Sequence, residues 1–362
     1  MATATAGRPP LWRDVRVLAW AFQLAVVAVV VVIAAWLYDN YRINTSRQHL
    51  STNWDYLSQP AGFPIPSSDF RPTQPVSDAL VEGLKNTLRL ALFGIALATV
   101  LGVLLGIARL SSNWVLRNAA RWYVEFVRNV PLAAIVLLSY LAIVLGVFPP
   151  PQDSWDLSPI GVFNVRGAAV RWFEGPNWKF LLAVGLAVLA LAGVIAWRRG
   201  VSERTGAPTR SGLYGNVVFV VVLVVAWTAL GLGITTPELD GRRITGGITM
   251  TAPYLAALIA LVAYTSSHIA EIVRGSIQAV PRGQGEAADA LALTGAQKMW
   301  HVVLPQAMRI GLPPIGNQYL NLSKNSSLAA LISFPELTKI TQLAVASRSP
   351  SVPSFVLTLG IY

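Results

Sequence analysis

The feature that most constrains this chain is a series of apolar runs, most of them long enough to cross a lipid bilayer. They fall at Leu18–Leu37, Leu84–Ala108, Tyr123–Val147, Phe180–Trp197, Val217–Leu232, Pro253–Val273 and Ile310–Ile332, and a last one opens near Ser354. A hydrocarbon core of about 30 Å takes roughly 20 helical residues. Lipid offers no partner to a backbone N–H or C=O, so each run must satisfy its own hydrogen bonds. The runs are continuously apolar rather than alternating, which favours helices over a β-barrel. Composition agrees: 54% of residues are hydrophobic and only 12% charged, about half the charge of an ordinary soluble domain. The expected fold class is all-α, a polytopic membrane protein with about eight transmembrane helices.

The net charge of +11 does not call for nucleic acid. In a membrane chain, excess arginine holds loops on the cytoplasmic side. With the N-terminus inside, four basic groups share that side. They are Arg8, Arg13 and Arg16; Arg109, Arg117, Arg121 and Arg128; Arg198, Arg199, Arg204 and Arg210; and Arg274, Arg282, Lys298 and Arg309. The first run follows three arginines, as a signal peptide would. It is too long for a typical h-region, however, and "WLYDN" after it lacks a small-residue cleavage pattern, so it reads as a retained anchor. The chain has no cysteine, which removes disulfides, thiolate metal sites and thiol catalysis. The closing "SFVLTLGIY" rises only about 14 Å as a helix, so the eighth span is expected to be incomplete.

Two divisions follow. Residues 1–83 read as an anchor helix and an outer loop rich in Pro and Ser, and residues 84–362 as the main transmembrane domain. Within the latter, 148–247 reads as an inserted loop and helix pair. Its aromatics Trp155, Phe163, Trp172, Phe173 and Trp178 suit anchoring at the membrane interface.

Between the sixth and seventh runs lies "GEAADALALTGAQKMWHVVLPQ", residues 285–306. It is helix-prone but only half apolar. Its alanines favour helix, and Glu286 and Asp289 sit in the first turn, where acids complement the macrodipole. Thr294–Gly295 is expected to end or bend that helix before a second helical stretch reaches Leu304–Pro305. A short helix with a smooth alanine face, tied rigidly to spans on both sides, suits a groove on another protein; taken alone, it could equally lie flat on the inner membrane surface.

This stretch resembles the EAA loop of ABC-transporter permeases, where Glu-Ala-Ala leads to a Gly and then to Leu-Pro at fixed distance. Here Ala292 holds the family's Gly position, and the nearby glycine is Gly295. The likeness extends to "NTLRLALFGIALATVLGVLLGIARLS", "YVEFVRNVPL", "AYTSSHIAEIVRGSIQAVPRGQ" and "LPQAMRIGLPPIGNQYLNLSKNSSL", which look like the polar-amino-acid uptake branch (histidine- and glutamine-permease-like), most of all its broad-specificity L-amino-acid permeases. The resemblance implies a type I importer permease core whose cytoplasmic coupling helix docks on an ATPase. It assigns that contact to Gly285, Glu286, Ala287, Ala288, Asp289, Ala292 and Gly295. It further implies two ATPase copies, a second permease (a paralogue or a copy of this chain), an extracytoplasmic amino-acid-binding protein and a bacterial inner-membrane location.

The chain contains no G-x-x-x-x-G-K-[ST], so no P-loop cradles ATP phosphates. It is expected to be a conduit rather than an enzyme, without a cofactor of its own; ATP and Mg²⁺ would act on the partner. Polar groups within a span mark a candidate path. In the seventh run Gln318, Asn321 and Asn325 share a helical face, with Lys324 and Ser326 beside them. Lys324 would meet a substrate carboxylate, or else snorkel to water or hold Glu336. Glu271 would contact a substrate ammonium or hold a neighbouring span, or form a plain ion pair with Arg274. Arg128–Asn129 before Pro131 marks the inner edge of the third span, and Pro313–Pro314 should distort the start of the seventh. His268 and His301 read as structural, and Gly102 and Gly106 form a G-x-x-x-G that permits close helix packing. The competing class is an ion-coupled secondary transporter or channel, which would want acids in mid-span.

Overall fold

The computed structural model describes residues 14–47, 53–157, 160–174, 176–205, 211–240, 243–347 and 349–362. Arg8, Arg13 and Arg210 of the orientation argument lie outside them. Twelve α-helices and eight short strands occur among the described residues. Five helices are long and apolar enough to span a membrane, seven spans result if each of two bent pairs counts as one, and Ser351–Ile361 is a shorter apolar helix. These segments correspond one to one with the eight apolar runs.

The chain divides into two compact units. The smaller one comprises Met1–Phe63, Arg71–Ser77 and Thr341–Ile361. Its helix α1 (Val15–Arg47) buries none of its residues. Its chain segments around 60 and 75 meet in an antiparallel bridge between Pro60 and Pro75.

The larger unit, Pro64–Phe70 and Asp78–Ile340 with Tyr362, carries the core. Helix α2 (Val76–Ala108) is followed by α3 (Trp114–Asn129) and α4 (Leu132–Leu138), the latter continuing as a π-helical turn at Ser139–Val144. Much of helix α7 (Ala252–Gln278) is buried. Its buried face is built from Ala256, Ala257, Ala260, Ser266, Ser267 and Ala270, small residues that let neighbouring backbones approach. The G-x-x-x-G of α2 uses this surface. A Cβ at Gly102 would lie 2.6 Å from the Cβ of Ile269, and one at Gly106 would lie 2.8 Å from that of Val273. Polar stitches fix the register: Tyr123 on α3 donates to the Ala263 carbonyl at 3.2 Å, and Thr99 on α2 donates to the Tyr319 hydroxyl at 2.9 Å.

The third apolar run is not one continuous helix. The chain turns by 107° between α3 and the α4 segment. Pro131 has no N–H to continue the ladder and disfavours helix at Val130, whose ψ of 131° is extended. Tyr123–Asn129 therefore belongs to α3, an amphipathic helix that buries Ala120, Val124 and Val127.

The insertion is more ordered than the irregular loop expected. Strands β1 (Trp155–Leu157), β2 (Gly161–Asn164), β3 (Gly167–Val170) and β8 (Ile248–Thr251) form an antiparallel sheet in the order β1-β2-β3-β8. Strands β4 (Trp172–Glu174) and β5 (Gly233–Thr235) pair next to it, and β6 (Glu238–Asp240) pairs with β7 (Arg243–Thr245). The pairings β3–β8 and β4–β5 close the base of an excursion made by α5 (Asn177–Thr205) and α6 (Ser211–Ala229). Gly167 is obligatory there: its φ is +137°, and a Cβ would stand 1.9 Å from the Met250 carbonyl oxygen. The interfacial aromatics are mostly used inside the protein. Phe173 stacks on Phe180 at 4.2 Å between centroids, Trp172 meets Phe93 edge-on at 6.2 Å, and Trp155 and Phe163 both pack on Phe148. Of the five expected anchors, Trp178 at 60% and Trp155 at 43% remain exposed.

Candidate functional site

The stretch at 285–306 folds into two short helices set against each other. Helix α8 (Arg282–Ala290) starts after Pro281, whose fixed φ suits a helix entrance. It ends in a Schellman turn: the Ala292 N–H donates to the Asp289 carbonyl at 2.9 Å and the Leu293 N–H to the Ala288 carbonyl at 3.2 Å. The turn requires a left-handed residue, and Ala292 supplies it at φ +54°. The bend thus falls two residues before Thr294–Gly295, where it was expected. Thr294 instead begins the next helix, α9 (Gly295–Lys298), through a capping box with Gln297, and Gly295 is that helix's first residue. A π-helical turn at Met299–Val303 carries the chain into α10 (Leu304–Asn325).

The two arms are braced. The Lys298 ammonium donates to both carboxylate oxygens of Asp289 at 2.8 Å. The Gln306 amide, at the start of α10, donates to the Gln284 side-chain oxygen at 3.3 Å. Ala288 is buried between the arms at 2% exposure. Gly285 is half-buried, and its missing Cβ would lie 3.9 Å from the Lys298 nitrogen. Glu286, Ala287, Asp289, Ala292 and Gly295 are exposed. So are Leu291 at 75% and Trp300 at 68%, two bulky residues that the sequence reading passed over. Leu291 stood one position off the alanine face, and an apolar residue at an exposed helix end is the signal that would have found it.

The residues expected to line a path separate into two groups. On α10, Asn321 and Lys324 are exposed and Gln318 and Asn325 half-buried; Ser326, just past its end, is buried with its hydroxyl donating to the Ser323 carbonyl at 2.6 Å. Asn317, Asn321 and Lys324 share the outward face at i, i+4, i+7 spacing. Lys324 does not hold Glu336. That carboxylate is fully buried and caps α11 (Leu337–Ala346), accepting from the Thr338 N–H at 2.8 Å, the Lys339 N–H at 2.6 Å and the Tyr362 hydroxyl at 2.7 Å. Pro313 and Pro314 lie within α10, which runs through them.

Glu271 belongs elsewhere. Its carboxylate accepts from Arg109, just past the end of α2, and from Arg274 one turn on, and Arg128 of α3 stands 3.9 Å away. One acid thus gathers cations from three helical segments, more than the local pair with Arg274 suggested by spacing. His268 packs on Tyr264, with ring centroids 4.5 Å apart and its Nδ1 3.0 Å from the Tyr264 carbonyl, and reads as structural.

The described residues thus hold a braced, exposed helical hairpin between two membrane-length helices. Comparison with known proteins gives the class of protein. Residues 213–361 match the family described as binding-protein-dependent transport system inner membrane component. The chain is 32% identical to the putative amino-acid ABC transporter permease protein YhdX of Escherichia coli (strain K12), over 95% of this chain and 89% of that protein. It is 36% identical to the general L-amino acid transport system permease protein AapQ of Rhizobium johnstonii, over 88% of this chain and 81% of AapQ. It is 33% identical to the glutamate/glutamine/aspartate/asparagine transport system permease protein BztB of Rhodobacter capsulatus, over 90% and 84% of the two chains. A crystal structure of an amino acid ABC transporter with histidines aligns at TM-score 0.47 and 20% identity, covering 79% of this chain and 86% of that one. The chain belongs to the family of ABC-transporter permeases, the inner membrane components of binding-protein-dependent transport systems.

Proposed function

We propose that this permease is the conduit of an ATP-driven importer of L-amino acids. Hydrolysis takes place on separate ATPase subunits that carry ATP and Mg²⁺. A second permease, either a paralogue or a copy of this chain, completes the pore, and an extracytoplasmic binding protein delivers the substrate. The main transmembrane domain is 84–362, the N-terminus is cytoplasmic, and the membrane is the bacterial inner membrane.

The observation that supports this most is the hairpin of α8 and α9. Glu286, Ala287 and Leu291 form an exposed face, one acid and one bulky apolar side chain beside a small one, suited to a partner groove, with Gly285, Ala288, Asp289, Ala292 and Gly295 shaping the hairpin. The Asp289–Lys298 brace sets the angle between the two arms, so a displacement at Glu286 is passed along the hairpin toward α10. Asn321 and Lys324, with Gln318 and Asn325 behind them on α10 and Ser326 just past its end, define the path that such a displacement opens. Glu271 serves the path indirectly, by holding α2, α3 and α7 together at one end. An ion-coupled mechanism would need a free acid in mid-span, whereas the Glu271 carboxylate is engaged by arginines and the buried Glu336 carboxylate by the Thr338 and Lys339 N–H groups and the Tyr362 hydroxyl.

The test is uptake by the reconstituted complex. Amino-acid uptake should stop without ATP and persist when ion gradients are collapsed; the reverse pattern would reject the proposal.

A further inference from the structure

A second site lies at the other end of the same bundle. A cavity of about 380 Å³ opens between the first half of α2, the start of α7 and the inserted sheet. It falls in the size range of small-molecule pockets, which combine apolar walls with a few convergent polar groups. Two aromatic pairs form its walls: Phe93 with Trp172, and Tyr254 with Phe334, the latter at 5.5 Å between centroids. Asn86 also lines it, its amide held by the Pro335 carbonyl at 2.9 Å. Arg89 is the one charged residue on the lining, and no carboxylate lines it among the described residues. Arg89 is exposed and forms no ion pair among the described residues.

The geometry points to a binding site for a small carboxylate with a neutral body, its carboxylate on the Arg89 guanidinium and its side chain between the aromatic walls. Resting on the proposal that amino acids are the cargo, it assigns this cavity the role of a vestibule that selects neutral L-amino acids over cationic ones. A guanidinium pairs a carboxylate through two parallel N–H bonds. A lysine or arginine side chain entering the same space would meet a like charge and no acid to balance it. The wall residues Val170 and Trp172 come from the insertion, so the selectivity belongs to the added strands as well as to the helical bundle.

The test is equilibrium binding to the complete complex in lipid nanodiscs, with L-leucine, L-leucinamide and L-arginine as probes up to millimolar concentration. Wild type should bind L-leucine roughly tenfold or more tightly than either L-leucinamide, which lacks the carboxylate, or L-arginine. Arg89→Gln should weaken L-leucine to the level of L-leucinamide, and Arg89→Lys should recover part of the loss. Thr249→Trp, at an exposed lining position, should weaken all three probes by filling the mouth. The thermal midpoint of Arg89→Gln should stay at the wild-type value, so that a loss of binding is not a loss of fold. Equal binding of L-leucine and L-leucinamide by wild type, or unchanged L-leucine binding by Arg89→Gln, would overturn the assignment. ATP-driven uptake measured on the same preparation separates the two readings. With uptake present and Arg89 without effect, only the vestibule fails; with no amino-acid uptake at all, the proposed cargo fails with it.

Discussion

Ala292 holds a conformation that costs a residue with a Cβ, which makes Ala292→Gly an informative single change. Its φ of +54° brings the Cβ toward the following carbonyl oxygen, a strain of about 1–2 kcal/mol for an L-residue. Glycine removes that strain, but it gains freedom in the unfolded chain, which offsets about 0.4–1 kcal/mol. Ala292 is exposed, so no packing is lost. The net expectation is a turn stabilised by about 0.5–1 kcal/mol, or roughly two- to fivefold in the local opening equilibrium. The reporter is the Leu293 amide, which closes the Schellman turn on the Ala288 carbonyl. Its hydrogen exchange, followed in detergent or nanodiscs, should slow by that factor in Ala292→Gly and accelerate in Ala292→Val, where a β-branched side chain tolerates positive φ least. Unchanged or faster exchange in the glycine variant would refute the claim that strain at this turn is held by the surrounding brace.

Four further outcomes test the rest of the arrangement. Thr294→Ala removes the hydroxyl that accepts from the Gln297 N–H and should cost α9 about 1 kcal/mol, read as roughly fivefold faster exchange at the Gln297 amide. Glu286→Lys should weaken co-purification of the ATPase by about tenfold, or about 1.4 kcal/mol, while membrane insertion stays intact; full retention of the ATPase would remove Glu286 from the docking face. Glu271→Gln leaves Arg109, Arg128 and Arg274 without their shared carboxylate. It should destabilise the bundle by about 2 kcal/mol, seen as a lower thermal midpoint that Glu271→Asp partly restores. Gly106→Val would place atoms where Val273 and the Ala270 carbonyl stand 2.8 and 2.9 Å from an added Cβ. It should cost about 1–3 kcal/mol, and a wild-type midpoint would show that α2 and α7 are not in such close contact.

Much of this molecule is legible in its sequence because lipid imposes a coarse rule. An apolar run of sufficient length must be helical whatever its neighbours do, so the segments were readable from hydropathy alone. The hairpin at 285–306 was readable because helix formers, acids and a Leu-Pro follow one another locally. What escaped depends on partners far along the chain. Arg109 and Glu271 are 162 positions apart, and spacing suggested only the neighbouring Arg274. Pro131 was visible, but whether a proline caps, kinks or breaks a span is settled by what packs on either side of it. Strands of three or four residues are too short to show a period of two above the noise of a loop. Phe173 and Trp172 read as interface anchors because nothing in the sequence announces Phe180 and Phe93 as their partners.

The placement of stiffness along the hairpin bears on how it would work. A lever transmits motion only where its joints are less compliant than the thing it moves. On the α8 side the chain carries a capped turn with a strained residue at its centre, and on the α9 side a capping box. Between them the Asp289–Lys298 pair is bidentate, yet its two side chains are 61% and 31% exposed, so it contributes under about 1 kcal/mol. The brace is therefore strong enough to set the angle between the arms but weak enough to yield to a tightly docked partner. Compliance is placed further along instead, in the π-helical turn at Met299–Val303, where the ladder is already irregular and helices commonly carry functional deformations. On the proposed function the hairpin would swing about that turn, and the element it would move is α10, which presents Asn317, Asn321 and Lys324 outward. On that proposal the polar face of α10 and the alanine face of α8 are two ends of one mechanical element, with the turn at Met299–Val303 as its pivot.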